Sequence, residues 1–269
     1  MKRFPLWSWL WVLIGSVYFL APLVGTFIFA LEKERDALGF AAFASALADP
    51  LFLTTFSFSL EMAVITIVAS VILMVPTAYW VNLYVPRARA AIEFITLLPF
   101  VIPAIVLVFG LIRTYSHSFD LGFVRIPALT ELSTETLLVG GYMILALPYM
   151  YRSIDNGLRA MDARALTEAG QSLGANGFTI LWRIILPNLR TSVLSGALLT
   201  FAIVVGEFTL SGFFVGDQRA FGPYLVIVGN HRAFDAAALT LLSFTLTWVV
   251  MLIIQWITRG AQTSLTGAH

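Results

Sequence analysis

The chain contains no cysteine, which excludes disulfides, thiolate nucleophiles and cysteine-held metals. Lysine is almost as scarce. Lys2 and Lys33 are the only two, and neither closes a G-x-x-x-x-G-K-[ST] phosphate loop, so the chain has no ATP-hydrolysing site of that kind. The three histidines, His117, His231 and His269, are scattered without a second ligand at helical spacing, which sets metal binding aside. Ser195 sits in Leu194-Ser195-Gly196 inside an apolar run and lacks a nucleophile elbow. Charge is thin: 12% of 269 residues are Asp, Glu, Lys or Arg, about half the share in soluble domains, while 59% are hydrophobic. An integral membrane protein is the class left, and a net charge of +1 offers no argument for a nucleic-acid partner.

Six stretches meet the requirement of roughly 20 apolar residues for a membrane helix. They run at about 6–31, 54–84, 93–112, 135–151, 189–215 and 236–258. Nothing reads as β, and no soluble domain fits between the spans. The expected fold is all-α, one transmembrane domain over 1–269 with six membrane helices and a polar loop at 152–188. The uncharged run from Phe4 to Leu31 is too long for a signal core and lacks a small-x-small site, so it reads as an uncleaved first helix. Orientation follows from the cations. Lys2, Arg3, Arg87, Arg89, Arg152, Arg159, Arg164, Arg183, Arg190 and Arg259 fall on one side. Lys33, Arg35, Arg113, Arg125, Arg219 and Arg232 fall on the other, with most of the acidic residues. Ten against six places both termini and the 152–190 loop in the cytoplasm. Pro76, Pro99, Pro103 and Pro148 interrupt three spans, as in a bundle that moves, although prolines also simply kink membrane helices.

Two acids stand inside apolar spans: Glu207, in Gly206-Glu207-Phe208-Thr209, and Glu61, after Ser57 and Ser59. A carboxylate at membrane depth costs at least roughly 2.5–3.5 kcal/mol on insertion scales, so such residues face a bundle interior, a cavity or a partner. Glu207, Thr209 and Glu61 are therefore candidate pathway residues, and Thr200, Gly206, Ser211 and Gly212 add small or polar positions near them. The other reading is a protonated or hydrogen-bonded structural acid between helices. An ion-coupled secondary transporter or channel relaying protons or cations through Glu207 and Glu61 is the alternative of another class.

The loop parses as two short helices. Met161, Ala165, Ala169 and Leu173 form an apolar stripe, with Arg164, Glu168 and Gln171 opposite. Gly174 stands where a left-handed cap is expected, and Asn176 is placed to cap the second helix. That helix carries Phe178, Leu181, Trp182 and Ile185 on one stripe and is expected to stop before Pro187. The pattern alone also fits a loop that covers itself with amphipathic helices.

Glu168-Ala169-Gly170, Gly174 three residues on, and Ile184-x-Leu186-Pro187 nine further resemble the EAA loop of binding-protein-dependent ABC importer permeases. Gly170 stands where that family usually has Ala. Pro148-Tyr149, Arg152, Leu158, Asp162 and Gly196 are also similar to the family. The resemblance implies a type I permease subunit that binds no cofactor itself. Its partners would be a second permease subunit, identical or different, an ABC ATPase dimer carrying ATP and Mg, and an extracytoplasmic substrate-binding protein, in the bacterial inner membrane and its lipid. Asp162, Glu168, Ala169, Gly170, Leu173, Gly174, Ile184, Leu186 and Pro187 would couple to the ATPase. Met161–Gly174 would be the coupling helix, with Glu168 and Gly174 fixing its start and break. The spans look most like the spermidine/putrescine branch, which implies a polyamine or similar organic cation; aminophosphonate, iron and thiamine are the branch's other substrates.

Overall fold

The computed structural model describes residues 6–33, 38–116, 118–120, 125–126 and 133–266. Lys2, Arg3, Glu34, Arg35, Asp36, His117 and His269 lie outside the described residues, as do the side chains of Arg125 and Arg259.

Four helices are long and apolar enough to cross a membrane: α1 (Leu6–Leu31), α3 (Pro50–Tyr84), α6 (Thr134–Ala160) and α13 (Ala233–Thr266). Two bent pairs bring the number to six if each is one span. The first pair is α4 (Arg89–Val101), entered through the 3-10 turn Pro86–Ala88, and α5 (Ala104–Thr114), bent by 108°. Pro103 cannot donate into a continuous helix and itself stands at the N-cap of α5, so the expected 93–112 span is broken there. The second pair joins Gly177–Asn188 to α10 (Arg190–Val205) at 72°.

Other boundaries differ from the sequence reading. Helix α3 begins at Pro50, with Asp49 accepting from Leu51 N–H as its cap, and α6 runs on to Ala160 rather than ending near 151. The expected 189–215 span is interrupted. Helix α10 stops at Val205, and α11 (Thr209–Phe214) starts after the break at 206–208. Helices α2 (Ala41–Ala48) and α12 (Phe221–His231) occupy segments read as loops. A two-residue antiparallel pairing, Phe119 with Ile126 and Asp120 with Arg125, adds a small ribbon where no β was expected.

Helices α3, α6 and α10 form the centre of the bundle. Without a hydrophobic force between helices in lipid, their association depends on close backbone approach. Two glycines provide it. A Cβ at Gly196 of α10 would lie 2.8 Å from Met150 Sδ and 3.2 Å from Met150 Cα on α6. A Cβ at Gly157 of α6 would collide with Ser192 Oγ and lie 2.8 Å from Leu189 Cδ2. At the end remote from the 152–188 loop, polar contacts join α2, α13 and the junctions next to α3 and α12. Lys33 donates to Asp235 and Ser45, both at 2.6 Å, and Arg232 donates to Asp49 at 2.9 Å.

The packing at Gly157 generates a test. Gly157→Val puts a branched side chain where Ser192 and Leu189 already sit, and overpacking of this kind costs about 1–3 kcal/mol. Thermal unfolding of the purified variant is expected several degrees below wild type, whereas Gly140→Ala, where a Cβ meets nothing within 4 Å, is expected to leave the midpoint unchanged.

Candidate functional site

The loop after α6 folds as a hairpin of two helices, α7 (Ala163–Ser172) and α8 (Gly177–Ile180) with its continuation to Asn188. Local chemistry sets its corners. Asp162 adopts a left-handed backbone (φ 49°), tolerable for Asp, and its carboxylate accepts from Ala165 N–H at 3.4 Å. Gly174 turns the chain at φ 80°, and Ala175 N–H returns to the Gly170 carbonyl at 3.0 Å. Asn176 Oδ1 then accepts from Thr179 N–H at 2.8 Å and opens α8.

The start of α7 is thus capped by Asp162, not fixed by Glu168. Glu168 is exposed, paired with Arg164 at 3.4 Å across one helical turn, and such pairs contribute little. The buried face of α7 also differs from expectation. Ala163, Thr167 and Gly170 face inward, whereas Ala165, Ala169 and Leu173 are exposed, Leu173 by 88%. The reason lies in what the helix packs on. Thr167 Oγ1 shares a buried 3.0 Å hydrogen bond with the Tyr79 hydroxyl of α3. A Cβ at Gly170 would lie 3.0 Å from Ile180 Cγ1 and 3.2 Å from Ile184 Cδ1, so glycine lets α8 press against α7.

The second helix does not stop before Pro187. A π-helical turn, Leu181–Ile185, precedes the short α9 (Leu186–Asn188) and carries the chain past the proline. Widening the ladder just ahead of the proline accommodates its missing N–H. Of the expected stripe, Leu181 and Ile185 are buried while Phe178 (73%) and Trp182 (46%) are exposed; Ile180, not in that stripe, is fully buried. Ile180, Leu181 and Ile185 form a core with Met74, Val75 and Tyr79 of α3 and Ile154 and Leu158 of α6. Ile184, Leu186 and Pro187 are half-buried beside it. All nine candidate coupling residues therefore lie on one hairpin rooted in the bundle.

Beneath the hairpin is an ion cluster that the sequence reading did not assemble. Asp155 is buried. Its Oδ1 accepts from Asn82 Nδ2 at 2.9 Å, and its Oδ2 accepts from Arg89 Nη2 at 2.7 Å and Arg159 Nη2 at 2.8 Å. Glu93 Oε1 accepts from Arg89 Nε and Arg159 Nη2, both at 3.0 Å. The cluster joins α3, α4 and α6. The i,i+4 spacings Arg89/Glu93 and Asp155/Arg159 were visible signals, but their meeting is tertiary.

Of the candidate pathway residues, Glu207 and Thr209 come together. Glu207 Oε1 accepts from Thr209 N–H at 2.6 Å and Leu210 N–H at 2.9 Å, and Oε2 accepts from Ser211 N–H at 3.0 Å. The carboxylate thus holds the unsatisfied amides at the start of α11, beside Tyr142. A Cβ at Gly222 would collide with the Glu207 carbonyl oxygen, so α12 closes directly over this break. Glu61 is apart from them. It is exposed on α3 and makes no hydrogen bond or ion pair among the described residues.

The Tyr79–Thr167 contact is open to a double-mutant cycle. Tyr79→Phe and Thr167→Val are each expected to destabilise the purified chain, with a coupling of about 1 kcal/mol in denaturant unfolding. Strictly additive effects would mean that the two side chains do not interact.

The family model for "Binding-protein-dependent transport system inner membrane component" matches residues 74–263. Among curated relatives, the spermidine/putrescine transport system permease protein PotB of Haemophilus influenzae is 28% identical over 240 residues, covering 84% of this chain and 78% of its own. The molybdenum transport system permease protein ModB of Mycobacterium tuberculosis is 27% identical over 263 residues, covering 97% and 96%. In fold, the chain is similar to a solved bacterial ABC transporter involved in import of the acidic polysaccharide alginate, with a TM-score of 0.65 at 18% identity over 94% of this chain and 95% of that one. The MetNI methionine ABC transporter in an inward-facing form gives 0.60 at 19% identity over 78% and 95%. An ion-coupled transporter or channel is thereby set aside. A match across most of the chain, on a bundle of this shape, places it in the family of binding-protein-dependent inner membrane components: a multi-pass permease subunit of an ABC importer, with the ATPase on a separate subunit.

Proposed function

We propose that the α7–α8 hairpin is the contact through which the ATPase drives this permease, and that the cargo is a small organic cation of the polyamine type. The observation that carries the first part is the apolar edge at the hairpin tip. Leu173 is 88% and Phe178 73% exposed, on a segment whose other face is fixed to α3 and α6. Exposed apolar groups on a rigid support mark a protein contact. The count of ten cations against six supports a cytoplasmic hairpin, within reach of an ATPase dimer that binds ATP and Mg. Asp162 and Gly174 hold the two ends of α7; Ala169 shares the exposed face with Leu173 and Glu168, and Gly170, Ile184, Leu186 and Pro187 seat the hairpin. A second permease subunit and a substrate-binding protein complete the transporter.

The cargo reading rests on two supports: the likeness to PotB, and Glu61, an acid on an exposed face of α3 with no ion pair among the described residues. Glu207 has three of its roughly four acceptor positions taken by backbone amides, so it contributes chiefly by shaping the break beside Thr209. The likeness to ModB, which extends over nearly the whole chain, favours a second reading in which the cargo is an anion. Identification of the ligand held by the cognate binding protein decides between them: a polyamine sustains the first reading, an oxyanion the second.

The coupling role is tested at two positions. Leu173→Glu is expected to abolish co-purification of the ATPase while leaving the permease folded. Gly174→Val forces a branched residue into φ 80°, a strain of about 1–2 kcal/mol, and is expected to abolish ATP-driven uptake with binding-protein docking intact. Normal uptake and ATPase recovery in both variants would refute the assignment.

A further inference from the structure

A polar cavity of about 210 Å³ opens beside the ion cluster, lined by side chains of α4 and the last turns of α6. Its acids are already committed. Asp155 is held by Asn82, Arg89 and Arg159, and Glu93 by Arg89 and Arg159, so two carboxylates balance two guanidiniums. Arg152 also lines the cavity and has no ion pair among the described residues. It is the uncompensated cation of the site. Tyr151, 1% exposed, also lines this cavity, and its buried hydroxyl meets no hydrogen-bond partner among the described residues. A buried hydroxyl left unpaired costs about 1–3 kcal/mol, which a ligand accepting from it would recover.

The level of the cavity along the bundle points to the source of such a ligand. Asn82 reaches Asp155 from α3, and Trp80 and Tyr84 on either side of it are exposed by 57% and 59%. Exposed Trp and Tyr at a span's end mark the headgroup region of a bilayer, and basic pockets between membrane helices at that depth take anionic headgroups. We propose that this cavity is a binding site for a phosphate-type oxyanion, held by the Arg152 guanidinium and the Tyr151 hydroxyl, and supplied by an anionic lipid of the leaflet on the hairpin side. A guanidinium suits this task because its planar fork matches phosphate oxygens two at a time.

The test uses the intact transporter, purified in detergent and stripped of lipid, with two probes: dioctanoyl phosphatidylglycerol and inorganic phosphate. Binding is counted by native mass spectrometry. Arg152→Gln is expected to weaken retention of the lipid roughly tenfold, Tyr151→Phe a few-fold, and Arg152→Lys by an intermediate factor. Tyr151→Phe removes an oxygen that is unpaired without ligand, so the lipid-free variant is expected to melt no lower than wild type. Phosphate bound with the same dependence on Arg152, and lipid not, would keep the oxyanion site but make its source a free anion. Equal retention of both probes by wild type, Arg152→Gln and Tyr151→Phe would overturn the proposal, as would a lower melting point for lipid-free Tyr151→Phe.

Discussion

The hairpin stands on a wedge of Ile180, Leu181 and Ile185 driven between the ends of α3 and α6. Both helices are longer than a straight crossing needs. Helix α3 has 35 residues and α6 has 27, about 52 and 40 Å at 1.5 Å per residue, against a hydrocarbon core of about 30 Å. From the headgroup level outward, apolar side chains gain from being hidden from water, and there the last turns of α3 and α6 and the hairpin bury one another. The ordinary hydrophobic effect therefore operates at this end of the molecule, where it is nearly absent between helices in the bilayer. Such a core deforms less readily than an extended loop, because side chains packed at interior density leave few voids to yield into.

Elsewhere the helices of the bundle are held by different means. Gly157 and Gly196 bring α6 and α10 together at backbone distance, and the breaks at Pro103 and at 206–208 let short helices reorient without leaving amides bare. The two regimes meet at the cluster of Asp155, Arg89, Arg159 and Glu93. A movement of the hairpin relative to α3 would have to carry Tyr79 and Thr167 together. A movement of α4 relative to α6 would have to part charged groups at 2.7–3.0 Å. The ends of α3, α4 and α6 are therefore joined more firmly than their apolar contacts alone provide.

What was legible in the sequence follows from how local each signal is. Gly174 and Asn176 were readable as caps because a cap is decided by the few residues around it, and the structure forms both. The buried face of α7 was not readable. Ala165, Ala169 and Leu173 repeat at the right interval, but Tyr79, far away in sequence, selects the face that carries Thr167, and Gly170 is buried because Ile180 presses on it. A polar threonine and a glycine do not register in a search for apolar periodicity. Pro187 misled for a related reason. The rule that proline ends a helix is sound for a uniform α-helix, and the π turn at 181–185 removes the uniformity. Helix α12 hid between Gly222, Pro223 and Gly229, residues that read as loop until the break it covers is known.

The two intramembrane acids, equivalent by composition, meet the cost of burial in opposite ways. Glu207 lies where a helix begins, and its charge is repaid by three amides that would otherwise lack partners, so the residue is accounted for within its own segment. Glu61 lies eleven residues into a continuous helix, where every nearby amide is already bonded to its own ladder and none can turn toward the side chain. Its face of α3 carries Thr54, Ser57 and then Val64 and Val68, polar at one end and apolar at the other. With no hydrogen bond or ion pair to Glu61 among the described residues, compensation for a carboxylate there would come from water in a passage, a neighbouring subunit or a passing cation. Each of those requires that this face of α3 be turned away from lipid in the assembled transporter. Glu61 therefore constrains how the subunit is set among its partners in a way that Glu207, satisfied where it stands, does not.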